Sequence, residues 1–182
     1  MYHMAQSVFQ TFRMRRLAVC LLLVGALSPL ADARDPYARG EKSFGPKVGY
    51  VTRNSSAAAG LVFEYSFSRH VRIAPQASII FRHRNLDALM IDVDVHFPLP
   101  FAGDRMAVYP LVGVDFTSWN LYGLDPEANK DVSSHRNRFG GNAGFGYEFK
   151  CTPTLKLNAE ARYTLMKTYP GALVSAGISY VF

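Results

Sequence analysis

The sequence predicts an all-β fold, a closed antiparallel up-and-down transmembrane β-barrel of eight strands. Three observations predict it. Apolar and polar residues alternate in segment after segment from Phe44 onward, the period of a strand with two unlike faces. Most segments run nine to twelve residues, close to the ~9–11 that a tilted strand needs to cross hydrocarbon. Their even number lets the sheet close with both chain ends on one side, and closure is compulsory in a bilayer because lipid cannot satisfy an open strand edge.

The first element is an export signal rather than a strand. Arg15 and Arg16 precede the apolar run Leu17–Leu27, followed by Ser28-Pro29 and Ala31-Asp32-Ala33. Small residues at Ala31 and Ala33 fit a signal peptidase site, with cleavage after Ala33. The eleven-residue run is too short to cross a bilayer as a helix. Met14 already heads a positive n-region, so translation is expected to start either there or at Met1. Cys20 sits within the apolar run behind a bulky valine, which argues against a lipoprotein site. Residues 1–33 are therefore read as the signal peptide, 34–43 as a short periplasmic segment and 44–182 as the barrel domain.

The formal net charge of +6 comes from 20 basic and 14 acidic residues. Cleavage removes Arg13, Arg15, Arg16 and Asp32, leaving +4 and a single cysteine, Cys151, so no intramolecular disulfide can form even in an oxidising compartment. Export and the lack of a basic, aromatic binding motif argue against nucleic acid as a partner.

The strands follow in order. The first is the weak segment Lys47–Val51; the second carries Leu61, Phe63, Tyr65 and Phe67 on one face. The third sets Val71, Ile73, Pro75, Ala77, Ile79 and Phe81 against a polar face interrupted by Ile80. In the fourth, Leu89, Ile91, Val93, Val95 and Phe97 oppose Met90, Asp92, Asp94 and His96. The fifth runs from Val108 to Phe116 and the sixth from Gly140 to Phe149. The seventh is the cleanest, with Leu155, Leu157, Ala159, Ala161, Tyr163 and Leu165 against Lys156, Asn158, Glu160, Arg162 and Thr164. A helix would scatter both sets around its circumference. Val174–Phe182 is the eighth. Pro75 and Pro110 each remove a ladder donor, so local irregularity is expected there.

Alternation alone also fits a soluble barrel with its apolar face inward. The polar face decides against that: it is rich in glycine, alanine and serine and poor in lysine, suiting a crowded interior better than a watery surface. It is also balanced in charge. Glu64, Asp92, Asp94, Asp115, Glu148 and Glu160 stand against Arg72, Arg82, Arg138, Lys150, Lys156 and Arg162, which predicts a lumenal network of ion pairs that blocks free passage. Aromatic residues gather at segment ends, Phe67, Phe97, Phe149 and Tyr180 toward one rim and Phe81, Phe116, Trp119 and Tyr163 toward the other, as interfacial girdles in contact with lipid do.

With both termini periplasmic, the outer connections are Thr52–Ala57, His83–Asp87, Trp119–Asn137 and Met166–Gly171. The longest, residues 119–137, falls on the outside, where such barrels place long loops. Tyr109-Pro110-Leu111-Val112-Gly113-Val114, then Phe139-Gly140-Gly141-Asn142-Ala143-Gly144-Phe145-Gly146-Tyr147-Glu148-Phe149, and the terminal Ile178-Ser179-Tyr180-Val181-Phe182, resemble the small outer-membrane β-barrel family related to OmpA and OmpX. The resemblance spans about Phe44 to Phe182. It implies a Gram-negative outer-membrane location and insertion by the barrel assembly machinery, with the terminal aromatic Phe182 as the assembly signal. The sequence ends with its barrel, so the peptidoglycan-binding domain of full-length OmpA, and with it a tethering role, is not expected.

Three groups could carry chemistry. Asp92, Asp94 and His96 lie at i, i+2 and i+4 on one face, close enough to bind a cation or orient a proton transfer, but cations across the barrel make ion pairing the better reading. Asp131, Ser133, Ser134 and His135 hold the residue types of a hydrolytic triad without any constraint that would impose triad geometry. Arg53, His83, Arg84, Lys130, Arg136, Arg138 and Lys167 fall near the outer rim, within reach of lipopolysaccharide phosphates. The expectation is a monomeric, non-enzymatic barrel without cofactor, metal or catalytic residues, serving envelope structure or surface contact with an extracellular ligand through residues 119–137. The alternatives are a narrow solute channel and a lipid A-modifying enzyme.

Overall fold

The computed structural model describes residues 37–83, 86–125, 130–166 and 170–182, with the side chains of 121–135 left out. Residues 1–33, with the cleavage motif at Ala31 and Ala33, and Arg84 and Lys167 lie outside that set, as do the side chains of Asp131, Ser133, Ser134 and His135.

Eight long strands form the wall: β1 (Lys42–Val51), β2 (Ser56–Ser68), β3 (Val71–His83), β4 (Leu86–His96), β6 (Met106–Asp125), β7 (Lys130–Thr152), β8 (Leu155–Met166) and β9 (Gly171–Val181). The three-residue β5 (Leu99–Phe101) is an annex on the end of β6. Each long strand pairs antiparallel with its sequence neighbour, β1 with β9 and β4 with β6, which closes the sheet. Both described ends of the chain lie together, Lys42 and Phe182 exchanging two backbone hydrogen bonds. We call this the terminal end, and the opposite one the hairpin end.

The alternation builds an inside-out molecule. On β6, Val114 is 64% exposed while its neighbour Asp115 is 2% exposed. Ile79, Leu89, Phe145, Leu165 and Val174 likewise face outward, whereas Glu64, Arg72, Glu148 and Lys156 are buried. Water would not tolerate so large an apolar belt, and a dry interior would not tolerate unpaired charge, so both faces are explained together by lipid outside and pairing inside.

The prolines act on the ladder more gently than expected. The β2–β3 ladder passes from Val62–Gln76 to Tyr65–Ile73 in one register, skipping the positions around Pro75, while Pro75 still pairs with Val93 of β4. At Pro110 the β6–β7 ladder is continuous and the Pro110 carbonyl accepts from Phe97 N–H, because the missing donor falls where β4 ends. The register shifts lie elsewhere, at Ser66/Ser68, Ile80/His83 and Lys150/Thr152.

One expectation is corrected. Residues 119–137 are not an irregular loop: β6 and β7 stay paired up to Asp125–Lys130, beyond the last β4 partner at Leu121 and the last β8 partner at Gly140. The hairpin thus leaves the wall, its β7 strand running ten residues past the β8 ladder, on the order of 30 Å of chain at ~3.4 Å per residue. Its own ladder satisfies the backbone there. Of the segment 34–43, the described residues 37–43 are tied to the barrel. β1 starts at Lys42, and Tyr37, held at φ 80, is buried at the terminal mouth with its amide donating to Glu41 Oε2 at 3.0 Å.

Candidate functional site

The lumen is the region where the fold concentrates its polar chemistry. At the terminal end, β2, β3, β7 and β8 converge four charges of low sequence proximity. Arg72 donates through both Nη atoms to Glu148, at 2.7 and 3.1 Å, and lies 3.4 Å from Glu64 Oε1. Lys156 pairs with Glu64 and lies 3.6 Å from Glu148; Ser43 Oγ also donates to Glu64. Two-pronged guanidinium contacts fix orientation as well as charge. Beneath them Lys150 pairs with Glu41 at 2.7 Å and sits 4.0 Å from the centre of the Tyr37 ring, a cation–π contact that seats the ring. Burial, then the Glu148 carboxylate, holds the Tyr37 phenol above its usual pKa.

Further in, His96 stacks on Tyr109, ring centroids 4.7 Å apart. The Tyr109 hydroxyl donates to Glu160 at 2.8 Å, and Glu160 is ion-paired with Lys47. Glycine makes this layer possible: Gly146 is the register partner of Tyr109, and a Cβ there would stand 2.3 Å from the phenol ring.

Toward the hairpin end Arg162 bridges two carboxylates, donating at 2.8 Å to Asp94 and at 2.8 Å to Asp92. Asp94 also accepts from Gln76 at 2.9 Å and Asn142 at 3.3 Å. Asp115 accepts from Thr117 at 3.0 Å. Above these polar groups Ala58, Ile80, Ala88, Met90, Trp119 and Leu173 pack together as a buried apolar floor. The described lumen is therefore packed at both ends, and truncating one partner of its ion pairs would leave a buried charge at about 3–5 kcal/mol.

Of the residues expected inside, Glu64, Arg72, Asp92, Asp94, Asp115, Glu148, Lys150, Lys156, Glu160 and Arg162 are buried there. Arg82 and Arg138 are not. Arg82 is exposed at the hairpin end and Arg138 is half-buried, donating to the Asn137 carbonyl at 3.3 Å, because both positions lie where their strands approach or leave the end of the wall and a guanidinium can reach water. Trp119 is corrected too: it shares the parity of Asp115 and Thr117 and lies inside, 5% exposed. Ile80, an imperfection in the pattern, is its neighbour in the floor. His96 stays apart from the Asp92–Asp94 carboxylates that Arg162 engages, and among the described residues no three metal-ligating side chains gather.

On the outer face Phe67, Phe81 and Tyr163 are about half exposed and Phe97 is 39% exposed. Phe116, Phe149 and Tyr180 are half-buried, Phe116 packing on Phe139 at 4.9 Å and Tyr180 stacking on Phe182 at 6.2 Å. Sequence reasoning missed Lys47, Glu41 and Tyr37. Lys47 could have been found by extending the alternation of β1 back to Ser43; Tyr37 gave no signal, since its burial follows from a turn.

Residues 17–182 match the family described as the outer membrane protein beta-barrel domain. Among solved structures, the chain is similar to the N-terminal β-barrel domain of Pseudomonas aeruginosa OprF, with TM-score 0.61 and 12% identity over 79% of this chain and 98% of that one. It is similar to Ail, the attachment invasion locus protein of Yersinia pestis, with TM-score 0.57 and 16% identity over 79% and 99%. Neisserial surface protein A matches with TM-score 0.61 and 12% identity over 80% and 98%. No curated protein matches the chain.

Proposed function

The chain belongs to the outer membrane protein β-barrel domain family, and from that premise we propose that this integral outer-membrane barrel is a non-enzymatic, non-conducting surface protein that makes its contacts through the β6–β7 hairpin. The observation that carries the reading is the asymmetry of the hairpin end. Val51 pairs with Ser56 and His83 with Leu86, so these ladders end with the wall, whereas β6 and β7 continue as a paired ribbon beyond it. Small outer-membrane barrels put short turns in the periplasm and long connections outside, which favours a hairpin directed outward and both termini in the periplasm, downstream of a signal cleaved after Ala33.

The rim supports a contact with anionic surface groups. Arg53, Arg82 and Arg136 are exposed and Arg138 is half-buried, at the level where lipopolysaccharide phosphates would accept charge-assisted hydrogen bonds. The packed lumen favours contact over transport, and the engagement of six of its acids, Glu41, Glu64, Asp92, Asp94, Glu148 and Glu160, by cations favours ion pairing over catalysis. Phe182 would serve the assembly machinery as its terminal aromatic. The test reconstitutes the protein in planar bilayers and, in parallel, measures binding of lipopolysaccharide-coated surfaces by the intact chain and by one whose Tyr122–Ser133 segment is replaced with Asn-Gly. The reading expects no channel steps and loss of binding in the shortened chain. Porin-sized conductance, a hairpin-independent surface phenotype, or altered lipid A in cells carrying the gene would overturn it.

A further inference from the structure

The lumenal charges do not balance. Among the described residues seven acids are buried, Glu41, Glu64, Asp92, Asp94, Asp115, Glu148 and Glu160, against five bases, Lys47, Arg72, Lys150, Lys156 and Arg162. The deficit is local. Glu41, Glu64, Glu148 and Glu160 each have a cation partner at the terminal end, whereas Asp92, Asp94 and Asp115 have Arg162, which binds the first two. The expected cations Arg82 and Arg138 stand at the rim instead.

Geometry sharpens the deficit to one pair. Asp92 of β4 and Asp115 of β6 are direct register partners on the inward face, and directly opposed side chains have Cβ atoms ~4.5–5.5 Å apart. They are 1% and 2% exposed, and each keeps one buried carboxylate oxygen, Oδ1, without a hydrogen-bond partner. Asp115 Oδ1 lies over Gly140, whose missing side chain leaves it room. Two like charges directly opposed across a ladder repel, and an unsatisfied buried carboxylate oxygen retains its desolvation cost.

We propose that Asp92 and Asp115 together hold one proton at neutral pH, a proton-binding site inside the barrel beneath the apolar floor. One proton removes the repulsion and turns an orphaned acceptor into a donor. The charged neighbours are Asp94 on β4, Arg162 on β8 and, at the rim, Arg138 on β7; Gln76 of β3 and Asn142 of β7 add only neutral groups. Asp94 opposes ionisation of the pair and Arg162 is already engaged by Asp92 and Asp94, so three carboxylates against one guanidinium leave two negative charges uncompensated without the proton and one with it. A metal ion would need further ligands, and no third free carboxylate, histidine or cysteine joins the pair among the described residues.

The experiment is infrared difference spectroscopy of the full barrel in lipid vesicles at neutral pH, reading the protonated-carboxyl stretch and its deuterium shift, with and without a chelator. The expected result is one such band, insensitive to chelation, lost in both Asp92→Asn and Asp115→Asn and kept in Asp104→Asn, whose site is a partly exposed turn. No band in the wild type, a band unaffected by both substitutions, or one that appears only on chelation would overturn the proposal. If an Asn variant does not fold, the wild-type band and its response to chelation still decide.

Discussion

In the terminal half of the lumen, Glu41, Glu64, Glu148 and Glu160 meet Lys47, Arg72, Lys150 and Lys156; in the hairpin half, among the described residues, Asp92 and Asp94 share Arg162 and Asp115 accepts from Thr117, under a floor of apolar side chains. The first half is held by opposite charges whose desolvation cost is offset only while every partner is present. The second relies on neutral donors such as Gln76, Asn142 and Thr117 and on packing. The contrast teaches that the same closed wall tolerates two kinds of filling, and that they should fail differently.

The terminal half should show the largest effect. Arg72→Leu leaves Glu148 without its two-pronged partner and is expected to cost about 4 kcal/mol, read as a lower unfolding midpoint of the heat-modifiable band in detergent. Adding Glu148→Gln should recover part of that loss, because the buried charge goes with its partner. If the two losses simply add, the lattice is not coupled and the contrast between the halves disappears.

The hairpin half should break through packing instead. Trp119→Ala opens the floor and is expected to cost about 3 kcal/mol, read as a lower unfolding midpoint in detergent. A loss below about 1 kcal/mol would mean that the floor collapses around the gap.

A smaller effect tests the boundary between the halves. Gly146→Val drives a side chain into the Tyr109 ring and should cost about 1–3 kcal/mol as overpacking; Tyr109→Ala in the same chain should relieve the clash while giving up the Glu160 hydrogen bond. Failure of that rescue would place the strain in the β6–β7 ladder rather than in the ring contact.

The smallest stability effect belongs to the ribbon outside both halves. Replacing Tyr122–Ser133 by Asn-Gly keeps the Leu121–Ser134 register and supplies a favoured two-residue turn, so the unfolding midpoint should move within about 0.5 kcal/mol, the usual range for surface changes. A larger loss would mean that the hairpin end is braced from above.

Much of this was legible in the residues. Period-two alternation placed all eight wall strands and told which face carries Glu64, Arg72, Glu148, Lys156, Glu160 and Arg162, because strand parity is local and each side chain's face follows from its neighbours. The same parity, carried two residues further, would have put Trp119 inside. What parity lacks is height. Arg82 and Arg138 have the polar-face pattern of the lumen yet sit at the rim, and only the pairing ladder says how far up the wall each position lies.

Partners were beyond the sequence for a related reason. Arg72 meets Glu148 and Lys47 meets Glu160 across 76 and 113 residues of chain, distances over which no periodicity acts. The sequence by itself determined an exported chain's alternating strands, its inverted faces and the composition of its interior. Closure of the sheet decided the rest, because the stagger of eight strands around a ring sets which charges share a layer, which are left over at Asp92 and Asp115, and where one hairpin outruns the wall.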